Sequence, residues 1–119
     1  MHELAITEGL LQVANDSARQ AGARRVTHIN VVIGDLSSVV DESVQFYADI
    51  LSRGTPAAGA RLCFRRVPAQ LTCDACQYRG VVEAPLVPVC PRCGGCQLRV
   101  EGGRELYVES IEVNDADRG

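Results

Sequence analysis

Two short cysteine pairs, Cys73-x2-Cys76 and Cys90-x2-Cys93, constrain this chain more than any other feature, and thirteen residues separate them. Two residues between cysteines let both sulfurs of a knuckle turn toward one ion while the intervening amides face the thiolates. Two such knuckles make a tetrahedral S4 site. Pro91 and Gly94-Gly95, around the second pair, suit a tight turn. Four thiolates fill the shell, so the spacing predicts a structural site for zinc, with no open position for a reacting water. Rubredoxin-like iron and a redox-active disulfide pair are the competing readings. The segment is too short to bury a core of its own, so the metal must help fold it; comparable zinc-finger peptides bind with about 10–16 kcal/mol at neutral pH. Cys96 repeats the spacing after Cys93, but the paired pattern is complete without it. Cys63 falls on a predicted strand, where a free cysteine behaves as a small hydrophobe. Both are read as non-ligands.

The remaining composition is that of an ordinary globular chain. In 119 residues, 46% are hydrophobic and 23% charged, with no Trp and only two Phe, so the core must be aliphatic. The net charge is −3 and every basic residue is Arg, which is not the electrostatic footprint of a nucleic-acid binder. No run of about 18 apolar residues offers a transmembrane helix. Met1-His2-Glu3-Leu4 lacks the basic and apolar stretches of a secretory signal. The expected location is therefore the cytoplasm, where paired cysteines read as metal ligands before they read as disulfides.

Residues 4–21 place Ile6, Leu10, Val13, Ser17 or Ala18, and Ala21 at helical spacing, with Gly22 as a stop. Residues 25–33 are rich in β-branched side chains and predict a strand with Ile29, Val31 and Ile33 on one buried face, ended by Gly34. Ser38-x-x-Asp41 resembles a capping box opening a second helix, with Val44, Tyr47, Ala48 and Leu51 inside and Arg53-Gly54 at its end. Residues 61–67 and 105–113 read as strands, the latter with Tyr107, Ile111 and Val113 on one face. Five of the six cysteines lie between them. The expected fold is α+β: two helices packed on a small three-stranded mixed sheet. Residues 1–69, completed by 98–119, form that domain, and 70–97 form an inserted zinc-ribbon-like module built on the four paired cysteines.

His2 carries a further chemistry. A terminal amine, the His2 amide nitrogen and imidazole Nδ1 can close adjacent chelate rings on one ion. Such nitrogen-rich, near-planar coordination suits Ni(II) or Cu(II) better than Zn(II). A bulky second residue also keeps Met1 in place, and Glu3 adds a carboxylate beside the site. Deprotonating an amide makes such binding strongly pH-dependent.

Several segments, in order, resemble the HypA/HybF family of nickel metallochaperones for [NiFe]-hydrogenase maturation. They are Met1-His2-Glu3-Leu4, Ile33-Gly34-Asp35-Leu36-Ser37, Ser52-Arg53-Gly54-Thr55, the two cysteine pairs, and Glu105-Leu106-Tyr107-Val108. The resemblance runs from Met1 to about Val113. It implies a nickel-binding α/β domain with a zinc-binding insert. His2 is then the essential nickel ligand, assisted by backbone nitrogens and sometimes Glu3, and Cys73, Cys76, Cys90 and Cys93 hold structural zinc. The implied partners are the nickel-handling GTPase HypB and the hydrogenase large-subunit precursor, with supply to urease in some organisms. Some relatives carry a carboxylate near the start of the second helix; this chain has Val40 there and Asp41 one position later.

The leading expectation is a non-enzymatic nickel carrier, a monomer or weak homodimer, with neither nucleic acid nor membrane as partner. The competing class is a zinc-ribbon interaction module that binds nucleic acid or a protein complex without a second metal. It would need a basic face with exposed aromatics, and the insert offers only Arg79, Arg92 and Tyr78 against Asp74 and Glu83. No catalytic Ser-His-Asp set or phosphate-cradling loop argues for an enzyme.

Overall fold

The computed structural model describes residues 3–82 and 87–114. Helix α1 (Glu3–Gln20) forms where the helical spacing predicts it, but its inner stripe is rotated. Thr7, Leu10, Leu11, Ala14, Asn15 and Ala18 are buried, whereas Val13 is 50% exposed and Ala21 lies outside. The two polar residues are tolerated inside because each has a backbone partner. Thr7 Oγ1 donates to the Glu3 carbonyl at 2.6 Å, and Asn15 Oδ1 accepts the Ala57 amide at 2.9 Å.

Strand β1 (Val26–Gly34) is central in a three-stranded sheet, between β2 (Arg61–Val67) and β6 (Leu106–Val113). The expected alternation fails at its end, where Val31, Val32 and Ile33 are all buried. Asn114 N donates to Arg25 O and Gly34 N to Glu105 O, so β1 and β6 run in opposite directions. Val26 N donates to Pro56 O and Asp35 N to Val67 O, so β1 and β2 advance together, with α2 (Asp41–Leu51) in the crossover between them. The sheet is thus mixed. On β6 the expected face is only partly right: Ile111 and Val113 are half-buried, but Tyr107 is exposed.

The capping box expected at Ser38 does not form. Helix α2 starts at Asp41, Val40 is its N-cap, and no side chain of its own caps it. Ser38 lies two residues too early. Its inner residues follow expectation, with Val44 and Ala48 buried and Tyr47 and Leu51 half-buried. Ser52, rather than Arg53, ends it by donating its amide to Ala48 O, and Gly54 follows at φ 77°.

The chain divides into two compact units. The first comprises Ser38–Arg65 with the chain up to Val32 and from Tyr107 onward; the second comprises Ile33–Ser37 and Arg66–Leu106. The second unit therefore takes in more chain than residues 70–97. It contains an antiparallel sheet in the order β4-β3-β5, made of β3 (Ala69–Cys73), β4 (Arg79–Val82) and β5 (Leu98–Glu101). Ala69, Leu71 and Val82 are its buried core, with Leu36, Tyr78 and Leu98 packed against them. Close backbone crossing explains the added segments. A Cβ on Gly34 would run into the Gly103 carbonyl, and Leu36 N donates to Gly103 O at 2.7 Å.

Candidate metal centre

The second unit brings together all four cysteines singled out by spacing. The Sγ atoms of Cys73, Cys76, Cys90 and Cys93 lie within 4.8 Å of one another. Cys73 and Cys93 sulfurs are 3.7 Å apart, and those of Cys76 and Cys90 are 3.6 Å apart. A tetrahedron with metal–sulfur bonds of about 2.3 Å has sulfur–sulfur edges of about 3.8 Å, so the four thiols fit an S4 ion site. They are far too long for disulfides, and all six cysteines are free.

The two knuckles share one backbone plan. Gln77 N donates to Cys73 O at 2.8 Å, and Gly94 N donates to Cys90 O at 2.9 Å. Each donor sits four residues after the first cysteine of its pair in a left-handed conformation, Gln77 at φ 65° and Gly94 at φ 72°. One residue further on, the carbonyls of Tyr78 and Gly95 accept the amides of Cys73 and Cys90. Glycine at position 94 signals this turn in the sequence. Glutamine at 77 hides its counterpart, because an L side chain in that region is disfavoured by about 1–2 kcal/mol. Gln77 Nε2 partly offsets this by donating to Asp74 O at 3.1 Å.

Amides also aim at sulfur. Arg92 N and Cys93 N approach Cys90 Sγ at 3.4 and 3.5 Å, and Gly95 N approaches Cys93 Sγ at 3.4 Å. Burial raises the Cys90 thiol, but those amides and the neighbouring thiols of Cys76 and Cys93 outweigh it and bring the group down from 9.0 to about 6. At Cys76 the Tyr78 backbone bond pulls down, while burial and the sulfurs of Cys90, Cys73 and Cys93 push the thiol up to about 12. Four sulfurs this close cannot all ionise unless a cation sits among them.

Cys96 is exposed and is not among the four clustered sulfurs; Cys63 is half-buried on β2. His2 lies outside the described residues. Glu3 opens α1, and its Oε2 accepts the Val40 amide at 3.4 Å, a contact no sequence pattern announced. Asp41 is the first residue of α2. His28 is half-buried with Nδ1 3.0 Å from Thr27 Oγ1.

Two helices on a small mixed sheet, joined to a unit with a four-cysteine cluster, define a small α+β metal-binding protein with a zinc-ribbon-like module. Residues 1–113 match the model of the family described as hydrogenase/urease nickel incorporation, metallochaperone, hypA. The chain belongs to the HypA family, whose members are metallochaperones and maturation factors rather than enzymes. It is 44% identical over 115 residues to a hydrogenase maturation factor HypA of Dehalococcoides mccartyi, covering 97% of this chain and 96% of that one. A HypA of Caldanaerobacter subterraneus subsp. tengcongensis is 43% identical, with 95% and 99% covered. The fold resembles the solution structure of the Ni metallochaperone HypA from Helicobacter pylori. That match has TM-score 0.64 and 19% identity, and covers 95% of this chain and 97% of the other.

Proposed function

We propose that this chain carries Ni(II) at its N-terminus and delivers it during maturation of [NiFe]-hydrogenase, with Zn(II) held by Cys73, Cys76, Cys90 and Cys93. The observation that carries the reading is the whole-chain family match over residues 1–113, joined to a histidine in the second position. The terminal amine, the His2 amide nitrogen and the His2 imidazole supply the nitrogen-rich donor set, and Glu3 stands beside it as a carboxylate. Zinc supplies cross-linking and no chemistry. Its four thiolates leave no position open. Because Cu(II) outranks Ni(II) in intrinsic affinity, selectivity comes from metal availability and from partners. Those partners are the nickel-handling GTPase HypB and the hydrogenase large-subunit precursor, in the cytoplasm. The net charge of −3 supports this reading over a nucleic-acid module.

The test is elemental analysis of protein with an untagged N-terminus, with and without added Ni(II). Wild-type protein should hold an equivalent of zinc and take up an equivalent of nickel. His2→Ala should lose the nickel and keep the zinc. Unchanged nickel affinity in His2→Ala refutes the assignment.

A further inference from the structure

Helix α2 opens on Val40 in an extended conformation, φ −98° and ψ 121°, with no side-chain cap of its own. In a capping box the N3 side chain, Glu or Gln, reaches back to the N-cap amide. Position N3 here is Ser43, whose side chain is too short for that reach. The amide is satisfied from the other helix instead, because Val40 N donates to Glu3 Oε2 at 3.4 Å. Glu3 is also held through its main chain, since the fully buried Thr7 donates its hydroxyl to the Glu3 carbonyl at 2.6 Å. The carboxylate further complements the positive end of the α2 dipole. Two independent contacts thus fix this residue, one through its backbone and one through its side chain.

We propose that Glu3 is a positioning residue that staples the start of α1 to the start of α2 through the Val40 amide, and so fixes the origin of the nickel-binding arm. The inference rests on the nickel reading above. His2 is joined to Glu3 by one peptide bond, so a fixed Glu3 sets where the donor set of that reading begins and makes the ordering cost of binding an ion smaller. A carboxylate has two oxygens, so the contact with Val40 leaves it able to face a cation as well.

Two experiments separate this role from simple ligation. In metal-free protein, Glu3→Ala should shift the Val40 amide resonance and speed its hydrogen exchange about fivefold, the scale of a lost cap. Glu3→Gln keeps an acceptor oxygen and should restore both. An unchanged Val40 amide in Glu3→Ala, or a Gln variant that behaves like Ala, overturns the staple whether or not nickel binds. Val40→Pro removes the donor while leaving every nickel donor in place. It should weaken Ni(II) affinity about three- to tenfold at unchanged stoichiometry, and unchanged affinity overturns the positioning role. Should the proline variant misfold, the amide experiment alone decides. Failure of wild-type protein to bind Ni(II) would refute the nickel reading and leave the staple standing.

Discussion

Removing one sulfur from the metal centre should unfold the second unit and leave the first intact. The apolar core of the second unit is small. Among the described residues, Leu71 and Val82 are its larger buried apolar side chains, at 6% and 5% exposure, and burying each is worth about 1.5–3 kcal/mol. An S4 zinc site is worth about 10–16 kcal/mol by comparison with zinc-finger peptides, so the metal outweighs these two side chains even when the low end of its range is set against the high end of theirs. Cys90 is the cysteine whose replacement should matter most. Its sulfur takes two amide contacts, it is 2% exposed, and its own amide and carbonyl bond to Gly95 and Gly94. Cys90→Ser, or chelation of the wild type, should be followed by amide exchange resolved along the chain. Amides of β3 and β5, Leu71 and Val100 among them, should lose protection by about a thousandfold or more, as expected for losing several kcal/mol of local stability. Those of Ile29 and Val31 in β1 should stay within about tenfold of the untreated protein. If Leu71 and Val100 also stay within tenfold after metal removal, the metal does not hold that sheet together and the reasoning fails.

Two further outcomes follow from particular residues. Asn15→Ala orphans the buried Ala57 amide that its Oδ1 accepts at 2.9 Å, so urea denaturation should show a loss of about 1–3 kcal/mol; a loss below about 0.5 kcal/mol would contradict this accounting. Gly103→Ala adds a Cβ 2.6 Å from Ala69 Cβ at φ 84°, combining backbone strain with overpacking, and should destabilise by about 2 kcal/mol or more, read as a fall in melting temperature.

Much of the candidate site was legible because its signals are local. A knuckle closes within a few residues, so Cys73-x2-Cys76 and Cys90-x2-Cys93 announce themselves by spacing, and tertiary structure needed only to bring the two together. The turn at Gly94 was legible for the same reason. Its twin at Gln77 was not, because nothing in a glutamine marks a left-handed backbone; only the paired bonds to Cys73 O and Cys90 O expose the equivalence. Cys63 is set aside by its place on a predicted strand and Cys96 because the paired pattern is complete without it, and neither joins the cluster.

Sequence alone determined the order of the two helices and of the three strands of the first sheet, the four-sulfur pattern and the aliphatic core, because hydrophobic period and short-range turn chemistry are written along the chain; the short strands β3, β4 and β5 carry no such period and were not legible. Bonds between residues distant in sequence decided the rest. Asn15 turns inward because the Ala57 amide, 42 residues away, awaits its oxygen, whereas Thr7 is satisfied locally, one turn earlier in its own helix. Ser38 loses the cap position because α2 begins at Asp41, and the Val40 amide goes to Glu3, 37 residues away. The physical reason is common to these cases. A polar group inside or at a helix end must find a partner, and which partner is within reach depends on the folded chain rather than on its neighbours in sequence.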